Sequence, residues 1–90
     1  MGSTCIDLSV VVTPYHPPIK RSVTIAGHET SISLEPVFWA ALGKAAEQAG
    51  LPLNALIARV DAERIALRNP PNLASALRVW LFVQADATFR

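Results

Sequence analysis

The chain has a single cysteine, Cys5, so it can form no intrachain disulfide. It also has little charge. Charged side chains make up 17% of the 90 residues, and eight Lys/Arg stand against seven Asp/Glu for a net charge of +1. That balance excludes a surface made basic by sheer excess. Any basic patch must come from where the cations sit. No unbroken apolar run approaches the roughly 20 residues of a membrane-spanning helix; Val79 to Val83 falls far short. No basic residue precedes Lys20, so the charged start of a secretory signal is missing. These features predict a soluble, cytoplasmic protein with no membrane partner.

The residues of common enzyme chemistry are equally sparse. His16 and His28 have no cysteine or second histidine at metal-ligand spacing. Cys5 has no base placed beside it by the sequence. There is no glycine-rich phosphate loop, and a tight turn accounts for Gly27. Asp61 and Glu63 are two apart, so on a helix they cannot face each other. The sequence therefore predicts no catalysis, no metal site and no cofactor.

What is present is apolar: hydrophobic residues are 51% of the chain. A chain this short makes one domain, near the lower limit of what folds alone. So apolar a chain must either bury much surface within itself or share a core with a second copy, and sharing is favoured because a dimer doubles the effective core. Residues 1–19 read as an N-terminal arm, either a flexible tail or an edge strand formed by Ser9 to Val12. Within it, Thr13-Pro14-Tyr15-His16-Pro17-Pro18 is a stiff, extended linker, because each proline fixes its own φ and restrains its predecessor. Residues 20–90 form the domain proper.

In that domain a strand pattern runs into helices. Val23 and Ile25 are odd-numbered, whereas Ile32 and Leu34 are even, so one continuous strand would put the pairs on opposite faces. A hairpin over Arg21–Leu34 with Gly27-His28 as a type II′ turn repairs this. Ala26 then faces Glu29, and Ile25 faces Thr30. Val23, Ile25, Thr30, Ile32 and Leu34 share one face, and Ser22, Thr24, Ser31 and Ser33 the other. A bulge at Gly27 would also reset the phase. The first helix is predicted over Pro36 to Ala49, with proline in its first turn and Gly50 closing it. Its apolar stripe is Phe38, Leu42, Ala45 and Ala49, with Trp39 and Ala46 alongside. The second helix runs from about Pro52 to Leu67 on Leu53, Leu56, Ile57 and Val60. Its wet side pairs Arg59 with Glu63 and Asp61 with Arg64. Asn69-Pro70-Pro71 ends it. Asn72 caps a third helix from Leu73 to about Gln84. That helix has Leu73, Ala76, Leu77 and Trp80 inside, and is apolar nearly all round through Val79, Phe82 and Val83.

Thr30-Ser31-Ile32-Ser33-Leu34-Glu35, Phe38-Trp39 and Asn72-Leu73-Ala74-Ser75-Ala76-Leu77-Arg78 follow one another in an order that resembles the ribbon-helix-helix family of DNA-binding dimers. The resemblance is to a small bacterial subgroup with a TSISLE strand and an NLxSALR third segment. It implies a mainly α fold with a short β ribbon and a third, C-terminal helix, assembled as an intertwined homodimer. It further implies a repressor or antitoxin-like regulator of transcription on double-stranded DNA, with a toxin or other protein as a further partner. By position, Glu29, Ser31 and Ser33 would touch bases. Lys20, Arg21, Leu53 and Asn54 would touch phosphates. Ile32, Leu34, Phe38, Trp39, Leu42, Leu56, Ile57 and Val60 would build the dimer core. The rival expectation is a dimer of the same fold that grips another protein through its apolar third helix and has no DNA face.

Overall fold

A computed structural model describes residues 15–86. The elements run β1 (Ile19–Ile25), β2 (His28–Leu34), α1 (Pro36–Ala49), α2 (Leu53–Ile65) and α3 (Leu73–Ala85). The Ser9–Val12 strand expected in the arm, and Cys5, lie outside the described residues.

β1 and β2 form an antiparallel hairpin, as the parity of the apolar positions predicts, but the turn falls one residue earlier than expected. Ala26 and Gly27 are the two loop residues, with φ of 50° and 84°, the positive pair of a type I′ turn. The register is thus Ile25↔His28, Val23↔Thr30, Arg21↔Ile32 and Ile19↔Leu34, and not Ile25 opposite Thr30. The correction shifts each pairing by two residues, and side chains alternate with a period of two, so the faces survive it. Val23, Ile25, Ile32 and Leu34 are buried and Thr30 half-buried, while Ser22, Thr24, Ser31 and Ser33 are exposed. In the expected register Arg21 would have met Leu34 and left Ile19 beyond the ladder. The observed one carries pairing out to Ile19, whose carbonyl accepts a 2.9 Å hydrogen bond from Trp39 Nε1.

Holding alanine in the left-handed region costs about 1–2 kcal/mol. Ala26→Asn or Ala26→Gly is therefore expected to stabilise the domain by about 1 kcal/mol. In a chain of this size that raises Tm by about 4–8 °C, measurable by thermal circular dichroism. A lower Tm would rule out the turn as drawn.

Pro36 starts α1, and Gly50 ends it in the left-handed conformation at φ 70°. The N–H of Gly50 bonds to the Glu47 carbonyl, and that of Leu51 to the Ala46 carbonyl. This is the paired pattern of a Schellman closure. The buried stripe of α1 is Trp39, Leu42 and Ala46. It is turned by about one residue from the expected stripe: Phe38 and Ala45 flank it half-buried, and Ala49 is exposed. The indole of Trp39 reaches under the hairpin to Ile19, and that contact sets the rotation.

Pro52 flanks α2 as an extended cap without a side-chain hydrogen bond, and α2 buries Leu56, Ile57 and Val60. Asp61 and Arg64 pair as expected, at 2.8 Å. Arg64 also donates to the Pro71 carbonyl at 3.0 Å, which ties the loop ahead of α3 to α2. Arg59 and Glu63 form no ion pair among the described residues. Asn72 caps α3, its side chain accepting from the Ser75 N–H at 2.8 Å. Leu77 alone on α3 is fully buried; Leu73, Ala76 and Trp80 are half-buried.

The core is one cluster joining the hairpin's inner face to all three helices. Of the residues expected to form a core between two copies, Ile32, Leu34, Trp39, Leu42, Leu56, Ile57 and Val60 are buried by the chain's own elements, and Phe38 packs against them half-buried. β1 pairs with β2 within the chain and adds Val23 and Ile25 to the same cluster.

Candidate nucleic-acid interface

The period of two along the hairpin sorts its residues without further help. The inner face is consumed by the core. The outer face presents three cross-strand rungs: Lys20 opposite Ser33, Ser22 opposite Ser31, and Thr24 opposite Glu29. All six side chains are exposed, and none is apolar. The expected base-contacting residues Glu29, Ser31 and Ser33 thus lie in a row on one accessible strand face. Lys20 stands at the open end of the ribbon. Glu29 stands next to the turn, so the face is positive at one end and negative at the other.

Arg21 lies on the other side of the strand from Lys20. Its guanidinium sits 4.9 Å from the centroid of the Trp39 ring, a cation–π contact that holds the head in place while leaving the residue exposed. Beside it opens the N-terminus of α2. A shallow cleft of about 300 Å³ is lined by Arg21, Ser22, Val23, Thr24, Trp39, Leu53 and Asn54. Three of the four expected phosphate-contacting residues, Arg21, Leu53 and Asn54, therefore meet in one place. Lys20 does not join them. No side chain caps α2, and Pro52 has no N–H, so the first donors at this helix end are the N–H groups of Leu53 and Asn54. A helix N-terminus of this kind carries a partial positive charge and attracts anions. The Asn54 amide is drawn toward β1, where it donates to the Thr24 carbonyl at 3.4 Å.

One strut of the site was not expected from the sequence. Arg78 on α3 donates from Nη2 to Glu35 Oε1 at 2.9 Å and from Nε to the same oxygen at 3.1 Å. Its guanidinium also lies 5.6 Å from the centroid of the Phe38 ring. Glu35 joins the end of β2 to α1, so this pair fixes β2 to the third helix. The only hint in the sequence is that Glu35 and Arg78 each close one of the motifs that carry the resemblance. Hydrogen bonding to its own backbone, and then the Arg78 guanidinium, hold the Glu35 carboxyl below the usual carboxylate range. A carboxylate with a lowered native pKa favours the fold above its unfolded pKa, and that benefit is lost as pH falls through the native value. Glu35→Gln, which mimics the protonated acid, is expected to lower neutral-pH stability slightly, the pair being partly exposed, and to remove that same amount from the acid limb below the ordinary carboxylate range. Urea titrations at a series of acidic pH values measure this. An unaltered acid limb would sink the assignment.

A second surface is apolar. Val60, Leu67, Pro71, Val79, Trp80 and Val83 line much of a cleft of about 500 Å³ between the C-terminal half of α2 and α3. Ile65, Leu67, Val79 and Phe82 are all more than half exposed. Among the described residues no group of His, Cys, Asp and Glu is placed to hold a metal ion, and no helix is long and apolar enough to cross a membrane.

A two-stranded ribbon with a polar outer face, backed by helices of which the second opens its N-terminus beside that ribbon, defines a ribbon-and-helix recognition domain. Residues 18–85 match the model of the ribbon-helix-helix domain, and the chain belongs to that family. Its members are in general dimerising, DNA-binding regulators. No curated protein sequence and no solved structure matches the chain.

Proposed function

We propose that the protein is a sequence-specific, DNA-binding transcriptional regulator, a repressor or an antitoxin-like one. It lays the outer face of its hairpin in the major groove of a near-palindromic site and acts by occluding a promoter. The observation that carries this reading is the juxtaposition of two features: the polar outer face of the ribbon, and the cleft of Arg21, Leu53 and Asn54 along its β1 edge. A major groove about 12 Å wide admits a two-stranded ribbon. Glu29, Ser31 and Ser33 would meet base edges. Arg21 and the α2 N-terminus would grip a backbone phosphate and set the register, since phosphate contacts position and base contacts specify.

Two copies would bind together, with the exposed Ile65, Leu67, Val79 and Phe82 as the surface that a second copy, or a toxin-like protein partner, covers. The rival reading, a protein-interaction module without DNA binding, is favoured by that same apolar surface and by the net charge of +1. Salt separates them. With two or three phosphates engaged per protomer, four to six for the pair, a fourfold rise in salt weakens DNA binding roughly 150- to 1,800-fold, whereas an apolar protein interface barely responds. Fluorescence anisotropy against duplex from upstream of the protein's own coding region, beside a scrambled duplex and at two salt concentrations, tests this. Binding that ignores sequence, or none, leaves the interaction module as the better account.

A further inference from the structure

The apolar cleft between α2 and α3 has a matching segment in the same chain. In residues 6–12 every second side chain is apolar: Ile6, Leu8, Val10 and Val12, with Asp7, Ser9 and Val11 between them. That alternation gives an extended segment one apolar face. We propose that this arm lies extended in the α2–α3 cleft of its own chain, apolar face inward. A protein partner for that surface must then displace the arm. The inference deepens the partner surface named above and does not depend on DNA binding.

Three observations carry it. The first is the surface. Val60, Leu67, Val79, Trp80 and Val83 line the cleft, and Ile65, Leu67 and Val79 are each more than half exposed. A monomer rarely leaves a large contiguous apolar patch bare. The second is where the described chain begins. Tyr15 to Pro18 run along Glu35, Val37 and Phe38. Arg78 of α3 bonds to Glu35 and lies over Phe38, so the arm enters beside the middle of α3. Val79, next to Arg78, and Ser75, about one turn before it, already line the cleft. Pro17 and Pro18 keep the chain extended there, and it leads away from the hairpin instead of doubling back on β1. The third is reach. Val12 lies three residues before Tyr15, which covers about 10 Å in extended chain. That is enough to pass round a helix about 10–12 Å across. Residues 6–12 then cover ~20 Å more, the length of a helix of 13 residues such as α3. The arm's one charged side chain, Asp7, has the opposite parity to its apolar residues. It therefore stays in water while they are buried.

Cys5 is the chain's one cysteine, so a nitroxide attached to it reports, in the intact protein, where the arm lies. Amide signals of α2 from Val60 onward and of α3 from Ser75 to Val83 should broaden, while those of Ser31 and Ser33 stay sharp. Leu8→Asp with Val10→Asp should restore the broadened signals. The same pair should also raise collisional quenching of tryptophan fluorescence, through Trp80, since Trp39 is buried in the core. Neither substituted position belongs to the core cluster, and circular dichroism checks that the variant stays folded. A label that broadens nothing on α2 and α3 would overturn the proposal, as would broadening that survives the two aspartates. In a mixture where label and observed nuclei sit on different chains, the signals should remain sharp. Broadening there would place the arm on a second copy and overturn the assignment to its own chain. A failure to bind DNA bears on none of these outcomes.

Discussion

Ser33→Glu is expected to abolish specific DNA binding, by 100-fold or more, while leaving the fold as stable as before or slightly more so. Ser33 is exposed and stands directly across the ribbon from Lys20. A carboxylate at that position would pair with Lys20, and an opposite-charge pair facing across two strands stabilises by about 0.2–1 kcal/mol. The same pairing occupies the face's one cation. It also brings a second carboxylate to a surface that already carries Glu29, against DNA that bears one negative charge per ~1.7 Å of its axis. Stability and binding should therefore move in opposite directions, which general misfolding cannot mimic. Anisotropy and urea denaturation on the same preparation measure both. A variant that binds the wild-type duplex normally would show that the ribbon's outer face does not read DNA.

Leu77→Ala is expected to produce the largest loss of stability of any single alanine substitution in α3. Leu77 is completely buried, and it is the only residue of α3 that is. Truncating a buried leucine to alanine costs about 2–5 kcal/mol, depending on how far the site collapses around the lost volume. A small domain has only about 5–15 kcal/mol in hand, and a chain of this size belongs toward the lower end. α3 has little else to hold it. Its other anchors are the Asn72 cap, the Arg78–Glu35 pair and the half-buried Leu73, Ala76 and Trp80. Urea midpoints should fall sharply. A loss below about 1 kcal/mol would mean that α3 does not dock through Leu77.

Most of the fold was legible because it rests on local chemistry. Pro36, Gly50 and Asn72 mark helix ends through constraints that act within one turn of the chain, and the observed helices begin or end where those residues predict. The faces of the hairpin were legible from parity alone. Its turn was not, because Ala26 is an unusual residue for positive φ, and pattern reading placed Gly27 first in the loop instead of second. The rotation of α1 was hidden because it depends on where Trp39 finds an acceptor, twenty residues back at Ile19. Arg78 and Glu35 are 43 residues apart, and no periodicity links them. Arg21 was expected beside Lys20 as a phosphate contact. Adjacent residues on a strand point to opposite faces, so the two cations serve different surfaces. The residues placed in a core between copies are covered by the chain's own elements, among them β1, which composition could not show to pair with β2 along one edge.

That last feature has a kinetic side. Strands joined by a two-residue loop meet as a first-order event, on the scale of microseconds for a hairpin, and the rate does not depend on how many molecules are present. A ribbon built from two chains must wait for a collision, and it comes apart when the protein is scarce. In this chain the pairing of β1 with β2 is as complete at one molecule per cell as in a concentrated solution.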